Sequence, residues 1–362
     1  MIQVQFLRAQ DFPMQASGLV LESAFHFLYL LVFFFYLSSL YSADLSSQRG
    51  MTNILGPETW SRCSDLISNP KSDSYELSYL RTKSMPLSPF AGEYKPKFLP
   101  ASAMPNTVQI FTMDVLNEDV NDGNQGTQMD ALGHFGHLDE PWDGETELDI
   151  SNVTFFGGLK GDVVKPSKES PLLKLGIETV PPIITTAILI DVKKYAYDGK
   201  SMSAGEYVSI NDINKSIESS SLKSRGILPG DVVLIYTGWS DNYQDPDELK
   251  LYYSMAPGIS YTLAEYLASK KVVAVGLDTP FVDAVADPNN PIPAPEGTPE
   301  NMVFPVHHYF LTQAGVHTLE NFNLKKLSND SVDLSCVMIL PLMVKGSAAS
   351  SIRPVAIGPS TS

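Results

Sequence analysis

The sequence is poor in cysteine and in basic residues, and each shortage excludes a class of protein. Only two of the 362 residues are cysteines, Cys63 and Cys336, which excludes a disulfide scaffold and a thiolate metal site of the Cys-x-x-Cys type. Two separate core residues or one disulfide in an oxidising compartment both remain open. The 25 lysines and arginines are outnumbered by 41 acidic residues, so no basic stripe is available to bind nucleic acid.

The N-terminal region contains one long uncharged run, from Ser23 to Ala43. At about 1.5 Å per helical residue it is long enough to span a bilayer. We expect residues 1–43 to be a cleaved secretory signal or a transmembrane anchor, so that the protein is secreted or inserted in a membrane through residues 23–43. Three glycosylation sequons fit this expectation: they begin at Asn152, Asn214 and Asn329. The alternative is a true start at Met51, which would leave the protein cytoplasmic.

Apolar runs in the remaining chain, residues 44–362, predict a single α/β domain with a mixed sheet. Four near-continuous apolar runs predict strands that are buried on both faces: Ile183–Val192, Asp231–Thr237, Val272–Leu277 and Ser335–Val344. Ser260–Ser269 has apolar residues at helical spacing behind a serine cap, which predicts a strand–helix–strand unit. A second helix is predicted over Asn211–Glu218, and the proline-rich stretch 285–300 predicts a surface loop beside a site.

Five of the six histidines lie in two short clusters. The first cluster, GNQGTQMDALGHFGH (123–137), contains Gln128 and Asp130, which project to the same face if the chain is extended there. The second, PVHHYFLTQAGVHTLEN (305–321), contains three histidines and Glu320. Carboxylate, amide and imidazole groups that converge from both clusters can surround a divalent metal. Turn and surface histidines are the alternative. No Gly-x-Ser-x-Gly elbow is present, which argues against a serine hydrolase.

The first cluster resembles the signature of the cyclase family of metal-dependent hydrolases, which includes bacterial kynurenine formamidase, isatin hydrolase and trans-dienelactone hydrolase. The family pattern His-x-Gly-Thr-His-x-Asp-x-Pro-x-His stands here as NQGTQMDALGH, residues 124–134. Further similar blocks run from Tyr75 to the C-terminus, among them GDVVLIYTGW and FPVHHYFLTQAGVHTLENFNL. The resemblance implies a swivelling β/β/α fold with a mixed, partly barrel-like sheet and flanking helices. It also implies a homo-oligomer, a dimer or a tetramer.

By position, the resemblance makes Asp130 and Glu320 metal ligands and places Gln128 where many relatives have a histidine ligand. His134 falls on the last histidine of the signature, which implies the catalytic acid and base, with a ligand role as its alternative. Because Asn124 and Gln128 replace two histidines, one metal is favoured over two, and zinc and manganese both stay open.

The choice between the adjacent histidines of the second cluster depends on spacing. In the family the histidine stands twelve residues ahead of the glutamate, which selects His308 as the ligand. His307 is then its structural partner, and His317 is expected at the surface.

The expected function is hydrolysis, by a metal-activated water, of a small cyclic or linear carboxylic amide or lactone. Trp142, Trp239 and Thr127 are predicted to bind the substrate, with Thr279–Val282 as a further wall of an apolar pocket. No pair of basic residues near either cluster offers a carboxylate clamp. The alternative is a non-catalytic small-molecule binder on the same fold that has lost its metal.

Overall fold

A mixed sheet of nine strands forms the centre of the computed structural model, which describes residues 48–359 except 104 and 117–121. The strands are β1 (Ser72–Glu76), β2 (Gln128–Asp130), β3 (Ile183–Asp191), β4 (Val232–Tyr236), β5 (Ala274–Leu277), β6 (His317–Glu320), β7 (Leu334–Ile339), β8 (Ala349–Ser351) and β9 (Val355–Pro359). Their order is β1-β9-β7-β3-β4-β5-β6-β2-β8. Strands β3 to β6 are parallel to one another, and the remaining pairs are antiparallel. The sheet is curled into a half-barrel, so the prediction of a mixed, partly barrel-like sheet is confirmed.

Seven α-helices flank the sheet within the described residues. They are α1 (Pro57–Ser68), α2 (Gly161–Val164), α3 (Val192–Tyr195), α4 (Ile210–Ser219), α5 (Tyr261–Ser269), α6 (Pro305–His308) and α7 (Lys325–Asn329). Helix α6 continues directly into a π-helical turn, Tyr309–Ala314. Short 3₁₀ turns lie at Gly50–Ile54, Asp122–Asn124, Leu132–His134, Ile150–Asn152, Phe156–Gly158, Ile177–Thr179, Ser221–Ser224 and Trp239–Asn242. Two-stranded ribbons pair Lys97–Phe98 with Asp114–Val115, Ser102–Ala103 with Ile110–Phe111, and Tyr207–Val208 with Gly258–Ile259.

The central strands are buried on both faces because their apolar residues alternate between two cores. Leu189 of β3 and Leu234 of β4 belong to one core cluster, whereas the next residues, Ile190 and Ile235, belong to the other. Helices α4 and α5 supply the second cluster with Ile213, Leu263 and Leu267. This explains why β3 and β4 appear in the sequence as continuous apolar runs.

Most of the predicted elements occur near their predicted bounds. The cap of α5 is Ser260, whose Oγ accepts a hydrogen bond from the backbone N–H of Leu263. The strand predicted over Ser335–Val344 is wrong beyond Ile339, where β7 ends. Pro341 cannot donate a backbone hydrogen bond, and the apolar side chains that follow it are exposed.

The two cysteines form a disulfide that joins α1 to β7. Cys63 is 2% exposed and Cys336 is fully buried. Of the two alternatives that the sequence leaves open, the disulfide is the one that the structure has, and both cysteines also lie in the core.

The prediction of a transmembrane segment is corrected. Among residues 48–359, apart from the gaps given above, no helix combines the length and the apolar character needed to cross a bilayer. The run from Ser23 to Ala43, on which that prediction was based, lies outside the described residues.

Candidate functional site

Two antiparallel strands, β2 and β6, bring the acidic residues of both sequence clusters together. Gln128 lies directly opposite Glu320 in the register of these strands. Asp130 lies two residues further along β2 and therefore projects to the same face as Gln128. The hydroxyl of Thr318 donates to Asp130 Oδ2 at 2.6 Å. The strand register thus places two carboxylates and one amide in a buried cluster.

Helix α6 adds the imidazole of His307 to this cluster. Its Nε2 lies 3.0 Å from Glu320 Oε1 and 3.6 Å from Asp130 Oδ2. All three side chains are buried, and each offers a ligand atom within 4.8 Å of the others. This Asp130–His307–Glu320 group has the composition of a site for one divalent cation.

Asp283 holds the ring of His307 in place. Its Oδ2 accepts a hydrogen bond from His307 Nδ1 at 2.6 Å, and its carboxylate also accepts the backbone N–H groups of Val306 at 2.8 Å and His307 at 3.0 Å. Because Nδ1 keeps its proton for Asp283, Nε2 is the ring atom that faces the two carboxylates and is available as a metal ligand. In metal sites, a histidine ligand typically donates its other ring N–H to a carboxylate, as His307 does to Asp283.

Two buried oxygens of the cluster support the fit to a cation. Among the residues described, Gln128 Oε1 and Asp130 Oδ1 have no hydrogen-bond partner, which is costly for a buried polar atom. The amide nitrogen of Gln128 is already used, since it donates to Glu320 Oε2 at 2.8 Å. A divalent metal would satisfy both oxygens, and the residues present therefore fit such an ion.

The ionisable groups of the cluster shift one another's pKa values. Burial and the charge of Asp130 raise the pKa of Glu320 and His307 lowers it, with a net pKa of about 7. Burial lowers the pKa of His307, but hydrogen bonds to Asp130, Asp283 and Glu320 outweigh it, so that this pKa lies well above the usual value. The cluster therefore attracts positive charge. A proton on the imidazole supplies it without a metal, and a divalent cation would displace that proton.

A cavity of about 260 Å³ opens beside the cluster. Gln128, His307 and Glu320 line it, together with His134. Its apolar wall, which we call the aromatic wall, consists of Phe90, Phe135, Tyr253, Pro280, Phe281 and Phe304.

His134 is the last residue of the 3₁₀ turn Leu132–His134, which begins two residues after the end of β2, and it faces this cavity. Burial lowers its pKa, the charge of Asp130 raises it, and the charge of His307 lowers it, with a net decrease. His134 is therefore a neutral imidazole at neutral pH, with a lone pair that can accept a proton.

The structure places His307, and not the predicted His308, beside the two carboxylates. His308 is buried against a different cavity, of about 600 Å³, where its ring contacts that of His137. Its Nε2 accepts a hydrogen bond from Gln313 Nε2 at 2.9 Å. The twelve-residue count to Glu320 is misleading because adjacent residues of a helix point about 100° apart, so only one of the two neighbouring histidines faces the carboxylates.

None of the three predicted substrate-binding residues lines the cavity beside the cluster. Trp239 is 6% exposed and lies in a core cluster, where its indole N–H donates to the carbonyl of Tyr252. Trp142 is 53% exposed and lines the second cavity. Thr127 is buried, and its hydroxyl donates to the carbonyl of Asn321 at 2.7 Å. Of the stretch Thr279–Val282, Pro280 and Phe281 do form part of the aromatic wall.

His317, expected at the surface, is completely buried. Its Nδ1 donates to the backbone carbonyl of Asp130 at 2.9 Å. Strand β6 is internal to the sheet, so a histidine at its start has no access to solvent.

Sequence reasoning missed Asp283 and most of the aromatic wall. Asp283 follows the predicted strand Val272–Leu277 by six residues, and because Asp278 stands closer to the end of that strand, sequence position does not single out Asp283. The aromatic residues come from separate loops, and nothing in the sequence indicates that they meet.

Comparison with known proteins agrees with the geometry. The family model Cyclase, described as "Putative cyclase", matches residues 75–284. The fold is similar to the crystal structure of a novel cyclase, with 21% identity, a TM-score of 0.66 and coverage of 85% of this chain and 94% of that one. It is also similar to isatin hydrolase A from Ralstonia solanacearum, with 16% identity, a TM-score of 0.54 and coverage of 84% and 98%.

A third similar structure is an isatin hydrolase bound to the product analogue thioisatinate, with 18% identity, a TM-score of 0.51 and coverage of 84% and 100%. No curated protein matches the sequence. Because the family model covers more than half of the 362 residues, and the matched segment contains Gln128, Asp130 and His134, the chain belongs to the cyclase family.

Proposed function

We propose that the protein is a metal-dependent hydrolase that cleaves or opens a small cyclic or linear carboxylic amide or lactone. The observation that carries the proposal is the buried Asp130–His307–Glu320 group, with its unsatisfied oxygens, at the end of an aromatic cavity. Structures with this fold include proteins named isatin hydrolases, which supports hydrolysis.

The proposed ligands are Asp130, His307 and Glu320, with Gln128 Oε1 as a fourth donor. His307 replaces His308 in this assignment because only the former reaches the carboxylates. When bound, a divalent metal activates water for attack and polarises the substrate carbonyl. Gln128 stands where a second imidazole would be needed for a dinuclear centre, so we propose one metal per site.

His134 acts as the general base and then as the general acid. Its lowered pKa leaves the imidazole neutral, so it can accept the proton of the attacking water. The imidazole nitrogen that took up this proton then donates it to the leaving nitrogen or oxygen of the substrate. Such a role contributes about 10²- to 10⁴-fold to the rate.

The aromatic wall binds the apolar body of the substrate and excludes bulk water from the reacting carbonyl. A volume of about 260 Å³ restricts the substrate to a small molecule. Among the described residues that line this cavity there is no lysine or arginine, so substrate affinity comes from apolar and aromatic contact.

We also propose that residues 44–362 act as a single domain, that the protein assembles as a dimer or tetramer, and that it folds in the secretory pathway. The Cys63–Cys336 disulfide supports the last point, because such bonds persist in oxidising compartments.

The test combines metal analysis with an assay. Protein purified without added chelator should contain about one divalent metal per chain and should hydrolyse at least one of N-formylkynurenine, isatin and a dienelactone. Chelator should abolish the turnover, and the metal should restore it.

Asp130→Asn should lose both metal and turnover, whereas Asp139→Asn, which changes an exposed carboxylate outside the cluster, should keep both. A protein without metal and without chelator-sensitive turnover would instead be a small-molecule binder.

A further inference from the structure

Three of the four donor atoms proposed for the metal are oxygens. Asp130, Glu320 and Gln128 offer oxygen atoms, and His307 offers the one nitrogen. We propose that Gln128, oriented by its hydrogen bond to Glu320, shifts the metal preference of this site away from zinc and towards a hard, oxygen-preferring divalent cation of the manganese class. This inference rests on the proposed function, since it concerns the same metal centre.

The orientation of the Gln128 amide follows from its neighbours. A carboxylate only accepts hydrogen bonds, so the amide must turn its nitrogen towards Glu320 Oε2, at 2.8 Å. The other proton of that nitrogen points towards Asn124 Oδ1, at 3.4 Å. Both donors of the amide are therefore directed at protein oxygens, and the partnerless Oε1 is left for the cavity.

The register of the sheet prevents the amide from moving away. Gln128 is the first residue of β2, and its backbone pairs with Glu320 on one side and Ser351 on the other. Its side chain is only 5% exposed. An oxygen held in this way is preorganised for a cation, because no side-chain entropy is lost on binding.

The chemistry of the donor set disfavours zinc. Zinc in proteins is bound by thiolate, imidazole and carboxylate, and its catalytic sites have three protein ligands with one further position open. Four protein donors would fill a tetrahedral shell and leave no position for a reactant. An ion that prefers six ligands keeps positions open with the same four donors, and carboxylate and carbonyl oxygens suit manganese.

Zinc generally binds nitrogen and oxygen sites more tightly than manganese does, so the selectivity must be measured as a ratio of dissociation constants. Replacing the amide oxygen by an imidazole should shift the ratio of the two dissociation constants towards zinc. In Gln128→His, the affinity for zinc relative to manganese should rise at least about tenfold. Substitution of residues that only contact a metal ligand already changes metal affinity by about 10- to 100-fold, so the replacement of a ligand should have at least the smaller of these effects. The ratio is obtained by titrating metal-free protein with each metal against a competing chelator.

A second readout counts the nitrogens bound to manganese. Pulsed electron paramagnetic resonance of the manganese-loaded protein should detect one coordinated imidazole in the wild type and two in Gln128→His. The matched control is Gln109→His, which adds the same imidazole at an exposed position outside the cavity. It should leave both the affinity ratio and the nitrogen count unchanged.

A further variant keeps the test decisive if Gln128→His does not fold. Gln128→Met has a similar length but no hard donor, so it should weaken manganese binding by at least about tenfold and zinc binding by less. An unchanged ratio in the histidine variant, or in the methionine variant if only that one folds, would overturn the inference, as would two coordinated nitrogens in the wild type. Failure of the proposed hydrolysis is recognised separately, as absence of turnover with every metal that binds.

Discussion

His134 and the Asp130–His307–Glu320 group face the same cavity but have different proposed tasks. We expect His134→Gln to retain the metal, because the ligand atoms belong to other residues, and to lower kcat by about 10²- to 10⁴-fold through loss of the proton acceptor. Metal content and steady-state kinetics of the purified variant check both parts. His137→Gln is the control, since His137 lines the second cavity. Metal loss as large as that of Asp130→Asn would instead make His134 a ligand.

Much of the site could be predicted at the level of single residues. Alternation along an extended segment correctly places Gln128 and Asp130 on one face, and Glu320 joins them from the other sequence cluster. The choice between His307 and His308 could not be made from spacing, since it depends on which of these two adjacent helical side chains faces the carboxylates. The aromatic wall could not be predicted from the sequence either, because its rings come from loops whose mutual arrangement is determined only by the complete fold.

At the level of elements, the long central strands and helices were predictable, and the short strands β2 and β8 at one end of the sheet were not. Strands β3, β4 and β5 are continuous apolar runs because both of their faces are covered. Strands β2 and β8 have three residues each, and in β2 the polar side chains of Gln128 and Asp130 belong to the buried cluster of the site. A pattern this short does not differ from a loop in sequence, although β2 carries two of the proposed ligands.

The disulfide is the covalent link between two of these elements, α1 and β7. We expect the double variant Cys63→Ala, Cys336→Ala to lower the free energy of unfolding by about 2–5 kcal/mol, because the cross-link restricts the unfolded chain. Denaturant unfolding of oxidised wild type and variant measures the difference. Reductant should destabilise the wild type and leave the variant unaffected. Equal stability of the two proteins would show that packing of α1 against the sheet suffices without the bond.

For the molecule as a whole, the buried His317 predicts sensitivity to acid. Burial lowers the pKa of His317 to about 4, although its hydrogen bond to the carbonyl of Asp130 acts in the opposite direction. The unfolded chain takes up this proton near pH 6.5, whereas the folded protein does not until about pH 4. The unfolded state therefore binds more protons in this window, and His317 costs up to about 3 kcal/mol of stability as the pH falls through it.

His317→Gln removes that titration and should flatten the dependence of unfolding free energy on pH between about 6.5 and 4. Urea unfolding of both proteins at several pH values in this window measures the two slopes. The variant is expected to be less stable than the wild type at pH 7, where only the hydrogen-bond geometry is disturbed, and to lose less of its stability on acidification. Parallel curves for the two proteins would contradict the assignment.

Phe135 and Phe304 line both cavities, so two aromatic rings lie between the cavity beside the Asp130–His307–Glu320 group and the larger cavity next to it. Both rings also pack against the imidazole of His307. Smaller side chains at these two positions would join the two cavities and admit bulkier molecules, but they would also remove the aromatic packing of a proposed metal ligand. The size of the accepted compound and the position of that imidazole therefore depend on the same two side chains.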